Sequence, residues 1–184
     1  RFWFDHAKKF HKFIEGNIFE FGVFKGETLI SMALLLKRLN SNKIIYGFDS
    51  FEGFPSYSKF DDFSNFKKSN FNSLIRKRHM KLKLLREFSK NFDVNVKNIS
   101  ASDDFSEMSF EDMKKKIERL ELDNIKLIKG DFKDTVPKFF NSYEEKIFSV
   151  NLDCSLYDGY RITLPFIWKF LSKKGYVHLD EYYS

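Results

Sequence analysis

Cysteine is almost missing from this chain: Cys154 is the only one in 184 residues. A single thiol can build neither an internal disulfide framework nor a Cys-based zinc cluster. Long apolar runs are missing too, since no stretch approaches the roughly 18 residues a membrane span needs. The dinucleotide fingerprint Gly-x-Gly-x-x-Gly does not occur, which argues against a sugar-nucleotide oxidoreductase or similar enzyme. No secretory leader is visible, although the chain starts at Arg1. These absences point to a soluble protein of a reducing, cytoplasmic compartment. Charge imbalance is also small. Lys and Arg total 32 against 26 acids, a formal charge of +6, which is short of a dedicated nucleic-acid binder.

Phenylalanine and lysine, by contrast, are abundant. Phe occurs 24 times, and the 32 basic residues are mostly Lys. Phe, Lys and Asn share A/T-rich codons, so genomic base composition explains the excess. The aromatics are therefore not read as a platform for stacking bases. With 42% hydrophobic residues, the chain can build one core, and 1–184 is read as a single domain.

The clearest local pattern is a series of short apolar runs that end in acids. They are Asn17–Glu20 running on to Val23, Lys43–Asp49, Ile125–Asp131, Ile147–Asp153 and Gly175–Glu181. Each has strand length and is rich in β-branched or aromatic residues. Helical spacing lies between them, at Thr28–Leu39, Ser109–Leu122 and Tyr160–Leu171. Ser109-Phe-Glu-Asp112 resembles a capping box, and Pro165 falls near the first turn of the third helix. Strands alternating with helices predict an α/β fold with a mainly parallel sheet and flanking helices. Ligands of such sheets bind outside the carboxyl ends of the strands. Glu20, Asp49, Asp131, Asp153, Asp180 and Glu181 are all expected there as an anionic rim, unless each simply caps the helix that follows.

The stretch from about 56 to 106 breaks the alternation and is read as a basic helical insertion or lid. Between Lys59 and Lys90 it holds ten basic residues against three acids. A solvated helix over the sheet, a lid, a contact for an acidic substrate, or an RNA or membrane-surface patch would each use such a segment.

Glu20-Phe-Gly22-Val-Phe-Lys-Gly26-Glu-Thr28 follows a strand and opens a helix. Gly22 would admit a ligand close to the backbone, and Gly26 would let helix and strand pack closely. Free N–H groups at the helix start, with the Thr28 hydroxyl, suit a carboxylate. Asp49 ends the next strand, where an acid accepts hydrogen bonds from ribose hydroxyls. Ribose plus a carboxylate, without a phosphate loop, suggests an amino-acid nucleoside. S-adenosylmethionine is the evident candidate, and its cationic groups suit an acidic rim.

Glu20–Gly26, Tyr46-Gly-Phe-Asp-Ser-Phe-Glu-Gly-Phe-Pro55, Ile125–Pro137 and Leu152-Asp-Cys-Ser-Leu-Tyr157 together resemble the TylF/MycF (macrocin-type) O-methyltransferase family. The likeness runs from Asn17 to Tyr182, apart from 56–106. It implies a class I methyltransferase (Rossmann-like) fold, S-adenosylmethionine as donor, and a divalent metal, usually Mg²⁺. Relatives methylate sugar hydroxyls on macrolides. Carried over by position, the donor's methionine part falls near Glu20, Gly22 and Thr28. Its ribose falls at Asp49 and its adenine near Asp131 and Phe132. The metal ligands map to Asp153, Asp180 and Glu181, an all-oxygen set that suits Mg²⁺. Asp153 would also accept the substrate's proton. His178 shares the face of Asp180 two residues away and is a candidate for catalysis or for support of the neighbouring ligands.

Three departures stand out. Ser155 replaces the usual second Asp of the Asp-x-Asp-Leu-Tyr motif, Glu181 replaces an Asp, and the chain ends at Ser184, where relatives add two further strands. The expected sheet therefore lacks its C-terminal strands, and an exposed edge favours a homo-oligomer. The expected partner is a small-molecule or glycan hydroxyl, with nucleic acid disfavoured. The competing reading is a catalytically inactive module of the same fold, binding RNA or anionic glycan through the basic insertion. Cys154 has no identifiable base beside it and is read as a buried small residue.

Overall fold

The computed structural model describes residues 2–54, 105 and 108–180. Nearly all of the basic insertion at 56–106, and Glu181, lie outside the described residues. Within them, the order is α1 (Phe2–Phe10), β1 (Asn17–Phe21), α2 (Glu27–Arg38), β2 (Ile45–Asp49), α3 (Phe110–Arg119), β3 (Ile125–Lys129), α4 (Phe132–Ser142), β4 (Ile147–Leu152), α5 (Tyr157–Phe170) and β5 (Leu171–Leu179). The five strands form one sheet in the order β3-β2-β1-β4-β5. Every neighbouring pair is parallel, as the alternating pattern predicts.

β1 and β4 are buried along their whole length, so they read as mainly apolar runs rather than as alternating ones, with Asn17, Glu20, Ser149 and Asn151 as buried polar exceptions. Alternate residues go to opposite faces. Ile18, Ile45 and Phe148 face α1, α2 and α3, meeting Trp3, Ala7, Leu29, Met32, Leu36 and Met113. Phe19, Phe21, Tyr46, Phe48, Val150 and Leu152 face α4 and α5, meeting Val136, Phe140 and Ile167. Several of the phenylalanines build this core. The Phe19 ring lies 4.9 Å from Tyr46 and 5.6 Å from Phe140, and Phe21 lies 4.8 Å from Phe48. Aromatic contacts of this kind each add about 0.5–1.5 kcal/mol beyond area burial.

Helix boundaries shift slightly from the sequence reading. α5 starts at Tyr157, so Pro165 falls inside the helix rather than near its first turn. β5 starts at Leu171, earlier than expected. The cap at α3 holds in part: the Ser109 hydroxyl accepts from the Asp112 N–H at 3.1 Å and donates to the Asp112 carboxylate at 2.7 Å. α1 and α4 are additional helices. α4 carries Pro137 at its sixth position, and α1 buries Trp3 and Ala7, one turn apart. No helix among the described residues is long and apolar enough to cross a membrane.

Candidate active site at the strand ends

The register lines up the carboxyl ends of the strands. Phe21 is level with Phe48 and Leu152, Leu152 with Leu179, and Phe48 with Ile128. One residue further on stand Gly22, Asp49, Asp153, Asp180 and Lys129. Backbone bonds continue the ladder at this level, from Gly22 N–H to Phe48 O, Asp153 N–H to Phe21 O and Asp180 N–H to Leu152 O. Asp49, Asp153 and Asp180 therefore share one rim. Glu20 does not: it sits two residues below Gly22 and is only 2% exposed.

Above the rim opens a cleft of about 280 Å³. Gly22, Asp49, Asp131, Phe132 and Asp153 line it, as do Ser50, Gly53, Cys154, Ser155 and Leu156. Phe24, Phe54 and Phe105 form an aromatic wall. Phe105 meets Phe24 edge-on at 5.0 Å and Phe54 at 5.1 Å. Three of the strand-end loops carry a non-glycine residue with left-handed backbone: Phe24 (φ 48°), Phe51 (φ 54°) and Ser155 (φ 56°). Each costs on the order of 1 kcal/mol or more, and such strain gathers at sites where surrounding structure holds it in place.

Asp49 is the organiser of this cleft. Its Oδ2 accepts from the N–H groups of Val23 (2.7 Å) and Phe24 (3.0 Å), and its Oδ1 from Phe51 N–H (2.7 Å). One carboxylate thus ties the loop after β1 to the loop after β2. The Ser50 hydroxyl lies 3.5 Å from Oδ1 but donates its one hydrogen to the Gly53 carbonyl. Oδ1 therefore keeps a lone pair that a ribose hydroxyl could use.

Gly22 also serves the sheet itself. A Cβ there would overlap the Asp153 carbonyl oxygen, at φ +90°. The ends of β1 and β4 approach closely at this point. Gly26 caps α2 with left-handed backbone and no side-chain bond. A Cβ there would meet Met113 of α3 at 2.6 Å, so it serves a helix–helix contact rather than a helix–strand one. Thr28 lies half-buried in the first turn of α2 and does not line the cleft.

Asp131 caps α4, its Oδ1 accepting from Lys133 N–H at 3.0 Å, and its Oδ2 pairs with Lys133 Nζ at 3.0 Å. Helix capping is thus realised at Asp131 and not at Asp49. Cys154 is buried, its sulfur packed against Gly159.

Glu20, Asn151 and His178 are opposite one another across β1, β4 and β5. Asn151 Nδ2 donates to Glu20 Oε1 at 3.1 Å, and Asn151 Oδ1 lies 2.9 Å from His178 Nδ1. An amide oxygen only accepts, so His178 Nδ1 carries the hydrogen of this bond. His178 does not line the cleft. Burial pushes the Glu20 carboxyl well above the usual range. The Asn151 bond opposes this, and the charges of Asp153 and Asp49 add to it.

Of the expected metal set, Asp153 lines the cleft, Asp180 is exposed at the end of β5, and Glu181 lies outside the described residues. Among the described residues, no group of three or more His, Cys, Asp or Glu side chains is placed to hold a metal ion. The described residues do not make a metal site.

Sequence reasoning missed the aromatic wall and the Asn151 bridge. Phe24 and Phe54 stood within quoted motifs but carried no polar signal. Asn151 becomes visible only once the register is known.

A family model described as "Methyltransferase domain" matches residues 19–182. Among solved structures, the O-methyltransferase NovP superposes with a TM-score of 0.63 at 19% identity, over 95% of this chain and 60% of that one. CalS11, titled a calicheamicin methyltransferase, gives 0.62 at 19% identity, over 92% of this chain and 58% of that one. Its apo structure, titled a TDP-rhamnose 3'-O-methyltransferase, gives 0.51 at 20% identity. The chain spans about 60% of the length of these structures. No curated protein sequence matches it.

Proposed function

Because the chain belongs to the methyltransferase-domain family, we propose that it moves a methyl group from S-adenosylmethionine to a hydroxyl of a sugar or related polyol. The observation that carries this is the level row of strand ends, with Gly22, Asp49 and Asp153 opening on one cleft. The fold shared with NovP and CalS11 supports the hydroxyl acceptor, as does the resemblance to the macrocin-type family. In this reading Gly22 and the uncapped start of α2 take the methionine part. The open lone pair of Asp49 Oδ1 takes a ribose hydroxyl. Phe132 and the Asp131 region border the adenine.

The reaction is a displacement at carbon. The acceptor oxygen bonds to the methyl carbon as the carbon–sulfur bond breaks, and the electron pair stays on sulfur. The hydroxyl proton passes to Asp153, the acid that lines the cleft at the end of β4. Holding oxygen, carbon and sulfur in line supplies most of the acceleration, and Asp153 adds general-base help. No step is routed through a metal, because the described residues offer no complete ligand set.

Calorimetric titration of the chain with S-adenosylmethionine, followed by an acceptor screen with methyl-labelled donor, tests the proposal. Saturable donor binding and label transfer to a sugar hydroxyl are expected. No donor binding, in this chain and in longer versions of it, would overturn it.

A further inference from the structure

Among the described residues Glu20 is the one buried acid, and its surroundings are unsuited to a charge. Among those residues Oε1 has a single donor, the Asn151 amide. Oε2 is buried with no hydrogen-bond partner among the described residues. On the β2 side its ladder neighbour is Gly47. The space that glycine leaves is taken by the side chains of Leu29 and Val23. The described acids whose charge bears on it are Asp153 at the end of β4 and Asp49 at the end of β2, both of its own sign. His178 on β5 is reached only through Asn151. A carboxylate with one neutral donor, an apolar wall and two like charges is in the worst setting for ionisation.

We propose that Glu20 stands as a neutral carboxylic acid in the empty protein and releases its proton when the cationic donor enters the cleft. Donor binding is then proton-coupled, and Glu20 discriminates for positive charge. The inference rests on the donor assignment above. Glu20 lies two residues before Gly22 on the same side of β1, directly beneath a residue that lines the cleft. A sulfonium and an ammonium arriving above it supply the opposite charge that none of the described residues brings to it. The carboxyl ionises, its O–H proton leaves to solvent, and the new carboxylate attracts the donor. A site of this kind favours a cationic ligand without storing an unpaired buried charge beforehand.

The test is calorimetry of S-adenosylmethionine binding in two buffers of different ionisation heat, run on the chain and on Glu20→Gln across neutral pH. The difference in protons released should approach one per donor. Wild-type affinity should rise by up to about tenfold per pH unit while Glu20 is neutral in the empty protein, and that rise should be missing in Glu20→Gln. Subtracting the variant removes the donor's own amino-group titration. If Glu20→Gln does not fold, infrared difference spectra of the wild type serve instead, because a protonated-carboxyl band should vanish on donor addition. Donor binding with equal proton release in both proteins, or with no loss of that band, would overturn the inference and leave the donor assignment standing. No donor binding at all would overturn the donor assignment, and this inference with it.

Discussion

Replacing Asp49 with alanine separates two roles that one carboxylate performs. As a ribose acceptor alone, Asp49 would matter only to the donor. The structure has it also accepting three backbone N–H groups, from Val23, Phe24 and Phe51. Hydrogen bonds to a charged acceptor contribute about 1.5–3 kcal/mol each. The site is part-buried, so water re-solvates some of the freed N–H groups, and the three bonds share one acceptor. A loss of about 2–4 kcal/mol is therefore expected, a large share of a typical 5–15 kcal/mol stability. Urea unfolding of the empty protein measures it, as a lower midpoint with unchanged slope. Donor titration of the same variant should show loss of binding, because Phe24 and Phe51 hold left-handed backbone only while Asp49 pins their N–H groups. An unchanged midpoint in Asp49→Ala would refute the organising role even if donor binding were lost. Asp49→Asn should fall between the two, since its oxygen can still accept while its NH₂ faces donors.

Other expectations follow from the same geometry. Gly22→Ala should cost about 2–5 kcal/mol, because it adds backbone strain at φ +90° to a clash with the Asp153 carbonyl. Gly26→Ala should cost about 1 kcal/mol at its own left-handed position, since the end of Met113 can move. Urea midpoints for the pair check this, and a reversed order would refute it. Asp153→Asn should retain donor binding and lose turnover by about 10²–10⁴-fold, read by calorimetry and methyl-label transfer; parallel losses in both would contradict its role as base. His6 is stacked between Phe148 and Tyr176, and burial pulls its pKa below the ordinary 6.5. The neutral ring is the folded form, so stability should be fully present above pH 6.5 and decline as pH falls through the lowered value. His6→Phe should remove that slope in thermal melts taken as a function of pH.

What the sequence disclosed, and what it withheld, follows from how locally each feature is encoded. Parallel strands buried on both faces are mostly apolar, so β1 and β4 read as apolar runs despite Asn17, Glu20, Ser149 and Asn151. The acid that follows such a run marks the strand end almost by itself, which is why Asp49 and Asp153 were assigned to the rim. α1 escaped because its helical signal is carried by aromatics at Trp3 and Phe10, and the abundance of Phe had been set down to base composition. α4 escaped because Pro137 reads as a breaker, and it stands at the sixth position of the helix. Register is a different matter. It decides that Glu20 is opposite Asn151 and Asn151 opposite His178, and it is fixed by packing between strands far apart in sequence. The same register takes Glu20 off the rim and puts it beneath Gly22, where it has an apolar neighbour on one side and one amide on the other. An acid counted with the others by its place in a motif is thereby set apart from them by its depth. Asp49 and Asp153 meet the cleft; Glu20 meets the core and needs a ligand's charge to acquire its own.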